Sequence, residues 1–261
     1  MHQTNQKKKK MEFKKLHNQN NPLLICNVWD VISAKKAEKL NFQAIGTSSS
    51  AIAEMLGYED GEKMSFSELE YIVKRIKENT NIPLSVDLEA GYSREPLKIA
   101  NHIKRLVNLG VVGINLEDSI VDKERVFLNA EQFAKTLLDI KKQLEKDSID
   151  IFLNIRTDTF LLGHPNPIKE TEKRIELYEK SGISGVFVPC IEKEKDIKTI
   201  VESTSLPINV MCMPNLPDFE KLQELGVKRI SMGNFLFDNM YNKFEQILSS
   251  ISAQNSFKSI F

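Results

Sequence analysis

PLSVDLEAGYS at residues 83–93 and VVGINLEDS at 111–119 each run from a short apolar stretch straight into a cluster of charge. IDIFLNIRTDTF (149–160) and NFQAIGTSSSAIAEMLGYEDGE (41–62) do the same. Short apolar runs closed by polar clusters read as strands buried on both faces, the habit of a parallel sheet. The clusters then place Asp87, Glu89, Glu117, Asp118, Arg156 and Asp158 just past strand ends. In an alternating β/α chain those ends converge on one face, where ligands bind. Carboxylates and an arginine gathered there point to a divalent metal and an acidic substrate.

Outward from these segments the pattern alternates. LLICN (23–27) is a strand, and 31–40 a helix with Asp30 as its N-cap. A strand at 42–47 leads through a long loop to a helix over 65–80, opened by a Ser65–Glu68 capping box. Helix 95–110 has Pro96 near its start and Gly110 past its end, as helix-end chemistry favours. Strands at 111–117, 149–156, 184–189, 206–211 and 227–232 alternate with helices at 130–146, 167–182, 194–204, 217–226 and 235–251. With the strand opened by Pro83, eight strand–helix repeats predict an α/β protein with a (β/α)8 TIM-type barrel. That single domain spans 21–261, and residues 1–20 form a disordered polar tail. No G-x-G-x-x-G follows the first strand, which argues against a dinucleotide fold.

The chain has 261 residues, with 36 basic side chains balancing 36 acidic ones. That balance gives no global pull toward nucleic acid or membrane, and neither is expected as a partner. The Lys7–Lys10 run reads as a solvated part of the tail. No stretch approaches the ~20 apolar residues of a membrane span. The polar N-terminus lacks a secretory signal, so a cytoplasmic protein is expected. Cys26, Cys190 and Cys212 lie in or just after predicted buried strands and read as reduced core thiols.

In extended backbone Asp87 and Glu89, two apart, project to one side. Two like charges at a barrel mouth suit Mg²⁺, or Mn²⁺, and Glu117 from the next strand joins them directly or through water. The competing reading for either residue alone is a helix cap or an ion pair to Arg94 or Arg156. Arg156 suits a two-point grip on a carboxylate; its alternative is a structural pair with Asp158 or Glu117. Ser48, Ser49 and Ser50 offer hydroxyls that suit a carboxylate or phosphonate, although serine is common in loops. Asp60, in YEDGE, reads as a turn residue. His164 reads as a solvated loop residue, and His102 carries no special signal.

Taken together and in this order, NVWDVISAKKAEKLNFQAIGTSSSAIAEMLGYEDGE, PLSVDLEAGYS, GVVGINLEDS, LNIRTDTF, VFVP and PINVM resemble the phosphoenolpyruvate mutase/isocitrate lyase superfamily. The resemblance implies a (β/α)8 barrel, a Mg²⁺-dependent site and a small 2-oxo or 2-hydroxy carboxylate substrate processed through a pyruvate enolate or related oxyanion. It also implies a homo-oligomer, a tetramer or dimer, in which the final helix is exchanged onto a neighbouring barrel. By resemblance Asp87 is the direct metal ligand. Asp60, Glu89 and Glu117 hold metal-bound water, Arg156 binds substrate oxygen, and Ser48, Ser49, Ser50 and Asn209 contact substrate.

Two departures stand out. Lyase members carry K-K-C-G-H in a lid after strand four, with the cysteine in acid/base chemistry. This chain has Ser119-Ile120-Val121-Asp122-Lys123-Glu124-Arg125 there, with Lys123 and Arg125 as its cations. Strand six ends in Val188-Pro189-Cys190, where mutases place a histidine and lyases a glutamate. The expectation is a C–C lyase or decarboxylase with Arg156, Glu117 and Asp60 in its chemistry and a lid over 119–129. The alternatives are a P–C bond enzyme and a barrel that binds a dicarboxylate without turnover.

Overall fold

The computed structural model describes residues 11–261. The Lys7–Lys10 run lies outside the described residues. Among those described, eight parallel strands close a barrel: β1 (Leu23–Val28), β2 (Ala44–Thr47), β3 (Leu84–Asp87), β4 (Gly113–Glu117), β7 (Phe152–Arg156), β8 (Gly185–Phe187), β9 (Ile208–Met211) and β10 (Arg229–Ser231). The expected (β/α)8 fold is present. Two short strands, β5 (Ser119–Val121) and β6 (Arg125–Phe127), pair antiparallel outside the barrel. The segment 119–129, where a lid is expected, contains this hairpin.

Helix formation follows local chemistry. In α4 (Phe66–Asn79), Phe66, Leu69, Val73 and Ile76 fall on one buried stripe. Its capping box is as read: the Ser65 N–H donates to Glu68 Oε2 at 2.7 Å, and the Glu68 N–H to Ser65 Oγ at 3.3 Å. In α2 (Val31–Lys39), Asp30 caps with help from Ser33. The loop expected after β2 contains a further helix, α3 (Ser49–Met55), capped by Ser48. Around the barrel run α5 (Pro96–Asn108), α6 (Ala130–Lys146), α7 (Pro167–Glu179), α8 (Glu194–Glu202), α9 (Phe219–Glu224) and α10 (Phe235–Gln254).

The expected tail does not extend through residue 20. Residues 11–16 form a helix, α1, that plugs the amino-terminal end of the barrel. Phe13 is fully buried with Leu23, Ile25, Ala44, Val112 and Phe152. The His17 ring stacks on Phe152 at 4.0 Å between centroids. Burial, and then the Arg229 charge, push His17 down to about 3, so it stays neutral, and its Nδ1–H donates to the Phe13 carbonyl at 3.0 Å. The apolar residues of MEFKKL are too few to signal such a plug in a polar context. Gly113 makes room for it, because a Cβ there would meet Phe13 Cε1 at 2.8 Å.

Cys26 is buried, but Cys190 is half-buried and Cys212 exposed, so the three are not all core thiols. No described helix is long and apolar enough to cross a membrane. α10 is apolar yet exposed along Leu236, Met240, Tyr241, Phe244, Ile247 and Leu248.

Candidate active site

Register sets the site. Asp87 on β3 lies level with Asn115 on β4, Asn115 with Asn154 on β7, and Glu117 with Arg156. The carboxyl ends of these strands open on a cavity of about 260 Å³ lined by Asn27, Ser48, Ser49, Ser50, Asp60, Asp87, Asn115, Arg125 and Arg156, among others. The barrel mouth is thus where the sequence placed it.

Asp87 is tied to the end of β2. Its N–H donates to Thr47 Oγ1 at 2.8 Å, and its Oδ2 accepts from Ser49 Oγ at 2.8 Å. Burial raises its carboxyl above the usual carboxylate range, against the pull of the Arg156 charge and the Ser49 hydrogen bond. Arg156 is gripped twice. Its Nε donates to Asp158 Oδ1 at 2.6 Å and its Nη2 to Asp158 Oδ2 at 3.2 Å. Its Nη1 pairs with Glu117 Oε2 at 3.0 Å. The structural pairing and the cavity position of Arg156 therefore coexist. Burial disfavours its charge, but Glu117, Asp158 and Asp87 hold it protonated.

Arg125 reaches in from the hairpin. It pairs with Asp60 Oδ2 at 2.9 Å, donates to Ser119 Oγ at 3.0 Å, and contacts Glu117. Gly61 lets the Asp60 loop lie against this hairpin: its φ is +102°, and a Cβ would strike Val121 at 2.5 Å. Burial raises Glu117 to about 8, with Arg156 and Arg125 opposing that rise.

Asp87 and Glu89 do not point to one side. β3 ends at Asp87, and Glu89 takes φ +50°, which turns its carboxylate away. Glu89 accepts from the Glu62 N–H at 2.5 Å and from the Tyr92 hydroxyl at 2.6 Å. Burial raises it to about 7, and Asp60 and Asp87 add to the rise. Asp87, Glu89 and Glu117 are thus not a joint direct ligand set. No three His, Cys, Asp or Glu among the described residues are placed to hold an ion together.

A hydrated dication fits the donor set in another way. Five carboxyl groups (Asp60, Asp87, Glu89, Glu117, Asp158) cluster here with three guanidiniums (Arg125, Arg156, Arg229), an excess of oxygen ligands over fixed cations at a buried mouth. Asp87 lines the cavity without an ion-pair partner among the described residues. Mg²⁺ accepts one or two direct carboxylates and keeps several waters.

Asn209 is corrected as well. It is 1% exposed and does not line the cavity. Its Nδ2 is committed to the Val210 carbonyl at 2.6 Å and to Ser231 Oγ at 3.2 Å, and its Oδ1 to Asn154 at 3.2 Å. Asp118, read at a strand end, lies behind the site. It accepts from Arg174 Nη1 and from the Tyr178 hydroxyl, both at 2.8 Å, and from the Asp158 N–H at 3.1 Å. His164 is as expected, a loop residue whose Nδ1 accepts from the Asn166 N–H at 3.2 Å.

The sequence reading missed Asn27 and Asn115. The available signal was one asparagine in each of the apolar runs LLICN, VVGIN, IFLN and LPIN, because a polar side chain inside a buried strand demands partners.

Comparison with known proteins gives concordant results. The family model for phosphoenolpyruvate phosphomutase matches residues 13–252. An uncharacterized protein of Mycobacterium tuberculosis is 31% identical over 224 residues, 86% of this chain and 82% of that one. Oxaloacetate decarboxylase of Paraburkholderia xenovorans is 23% identical over 221 residues, 82% of this chain and 72% of that one. The crystal structure of a candidate phosphonomutase from Burkholderia cenocepacia J2315 has a TM-score of 0.87 at 30% identity, covering 92% of this chain and 99% of that one.

Proposed function

Because the chain belongs to the phosphoenolpyruvate phosphomutase family, we propose that it is a Mg²⁺-dependent enzyme that cleaves a C–C bond of a small 2-oxo or 2-hydroxy carboxylate, through an enolpyruvate-like state. The observation that carries this reading is the meeting of Asp60, Asp87, Arg156 and Ser48–Ser50 on one small cavity at the strand ends. Its volume of about 260 Å³ suits a metabolite of few heavy atoms.

Asp87 would hold Mg²⁺ (or Mn²⁺) directly, and Asp60 and Glu117 would hold it through water. The ion would supply a Lewis acid for the substrate's oxygens. Arg156, kept rigid by Asp158 and Glu117, offers a fixed positive charge to the oxygen on which charge builds as the bond breaks. A preorganised donor of this kind contributes roughly 3 kcal/mol to transition-state stabilisation. Ser48, Ser49 and Ser50 form the wall beside the substrate carboxylate. The β5–β6 hairpin, latched by Arg125 on Asp60 and Glu117, excludes water.

The apolar, exposed stripe of α10 supports a homo-oligomer in which that helix packs on a neighbouring copy. A cytoplasmic location belongs to the same proposal.

The test offers oxaloacetate, 2-methylisocitrate, dimethylmalate and phosphonopyruvate with Mg²⁺ and follows pyruvate, together with phosphoenolpyruvate from the last. Pyruvate from one of the C–C substrates is expected. The candidate phosphonomutase neighbour keeps P–C chemistry as the competitor, and turnover of phosphonopyruvate in preference to the others would select it. Silence on all four by folded, metal-binding protein would leave the non-catalytic dicarboxylate-binding reading standing.

A further inference from the structure

A relay of amides runs through the barrel interior beneath the cavity. Arg229 on β10 crosses to the opposite side of the ring, and its Nη2 donates to Asn115 Oδ1 on β4 at 3.3 Å. A guanidinium carries donors only, so the Asn115 atom facing it must be the oxygen. Asn154 Nδ2 donates to that same oxygen at 2.9 Å and to Asn209 Oδ1 at 3.2 Å. At the far end Asn209 Nδ2 faces the carbonyls of Val210 at 2.6 Å and Arg229 at 3.4 Å. Carbonyls accept only, so this end is fixed too. No amide in the relay can flip without setting N–H against N–H or oxygen against oxygen.

The amide nitrogen of Asn115 is the loose end. Its oxygen is doubly occupied, its Nδ2 meets no acceptor among the described residues, and the residue lines the cavity. We propose that Asn115 is a substrate-binding residue whose Nδ2–H group donates to an oxygen of the bound carboxylate, with Arg229 and Asn154 as the residues that position it. The proposal rests on the functional reading above and adds a residue to it. It also moves to Asn115 the polar contact expected of Asn209.

Two features strengthen the donor. Hydrogen bonds accepted by an amide oxygen polarise the amide and sharpen its N–H groups. Arg229 itself is fully buried, has Nε and Nη1 without partners, and makes no ion pair among the described residues. Its guanidinium, answered in part by the Asp87 charge, further polarises the Asn115 amide beneath the cavity floor.

The test is calorimetry with oxalate, a planar dianion, on Mg²⁺-saturated protein, with Mg²⁺ alone titrated as the control. Asn115→Ala is expected to weaken oxalate about tenfold, the loss of one good hydrogen bond, with Mg²⁺ affinity unchanged. Asn115→Asp satisfies Arg229 and Asn154 equally well and so keeps the fold. It sets a carboxylate in the cavity and is expected to weaken oxalate more than tenfold. Arg229→Met leaves Asn115 Oδ1 held by Asn154 alone, so it loosens the amide and is expected to give a smaller loss than Asn115→Ala, which Arg229→Lys restores in part. Unchanged oxalate affinity in Asn115→Asp overturns the assignment, as does an equal loss of affinity for Mg²⁺ alone. If the unsubstituted protein binds no oxalate, the functional reading itself has failed, whatever the variants do.

Discussion

Glu89→Gln should flatten the pH dependence of stability. In the fold Glu89 is 2% exposed, and burial raises its carboxyl from an ordinary 4.5 to about 7. The folded state therefore binds this proton more tightly than the unfolded chain does. Its contribution is intact below about pH 4.5 and is lost as pH climbs through 7. At about 1.4 kcal/mol per tenfold, the gap amounts to roughly 3 kcal/mol in full, most of which falls between pH 5 and pH 8. Glutamine preserves the shape and the partners. Its oxygen can accept from the Glu62 N–H, and its amide can donate to the Tyr92 hydroxyl, which accepts as readily as it donates. Urea unfolding of both proteins in chelator, at pH 5, 6, 7 and 8, isolates Glu89, because the other raised carboxyls are common to both. The variant should gain on its parent by about 2–3 kcal/mol across that range. Repeating the series with Mg²⁺ should shrink the difference, since a dication favours the ionised form. Parallel curves in chelator would show that Glu89 ionises in the fold as easily as in water, and the account of a desolvated, proton-holding mouth would fall with it.

Asp87→Ala should abolish Mg²⁺-dependent oxalate binding in calorimetry with the melting temperature unchanged or raised, because it removes a desolvated charge that has no ion-pair partner. Arg174→Met should cost on the order of 3–5 kcal/mol in urea unfolding, since Asp118, fully buried, loses its cation; pairing it with Asp118→Asn should recover much of that loss. Phe13→Ala should cost about 3–5 kcal/mol, as expected for a plug and not for a tail; a cost below about 1 kcal/mol would contradict the buried position of α1.

Most of the barrel was legible because its signals are local. Ser65 and Glu68 announce α4, Pro96 and Gly110 bound α5, and each apolar run carries its own strand length. The mouth was legible for the same reason: strand ends in a parallel barrel share one face wherever the chain goes next. Direction past a strand end was not legible. Glu89 leaves the pleat by a positive φ two residues after Asp87, and nothing in DLEAGY distinguishes that turn from a continued extension. Asn209 failed for a different reason. An asparagine inside a strand needs partners, but sequence does not say whether they are substrate or other asparagines, and here Asn154 and Ser231 claim it. α1 went unread because its packing partner, Phe152, lies far along the chain.

On the proposed C–C reading, the departure at the lid bears on which cleavage the mouth would serve. Where lyase relatives are expected to set a cysteine that acts in acid/base chemistry, the hairpin here sets Arg125. Burial works against its charge, but Glu117 and Asp158 hold it protonated, so it offers a fixed cation and not a proton. Cleavage of a 2-hydroxy tricarboxylate expels a carbanion, which demands an acid beside the leaving carbon. Loss of carbon dioxide from a 2-oxo dicarboxylate demands none, because the leaving group departs neutral and the charge stays on the pyruvyl oxygen, beside Arg156. On the proposed reading, a mouth anchored by Arg125 and Arg156 but without a lid acid would favour decarboxylation over aldol-type cleavage, with the later proton for the enol carbon drawn from water.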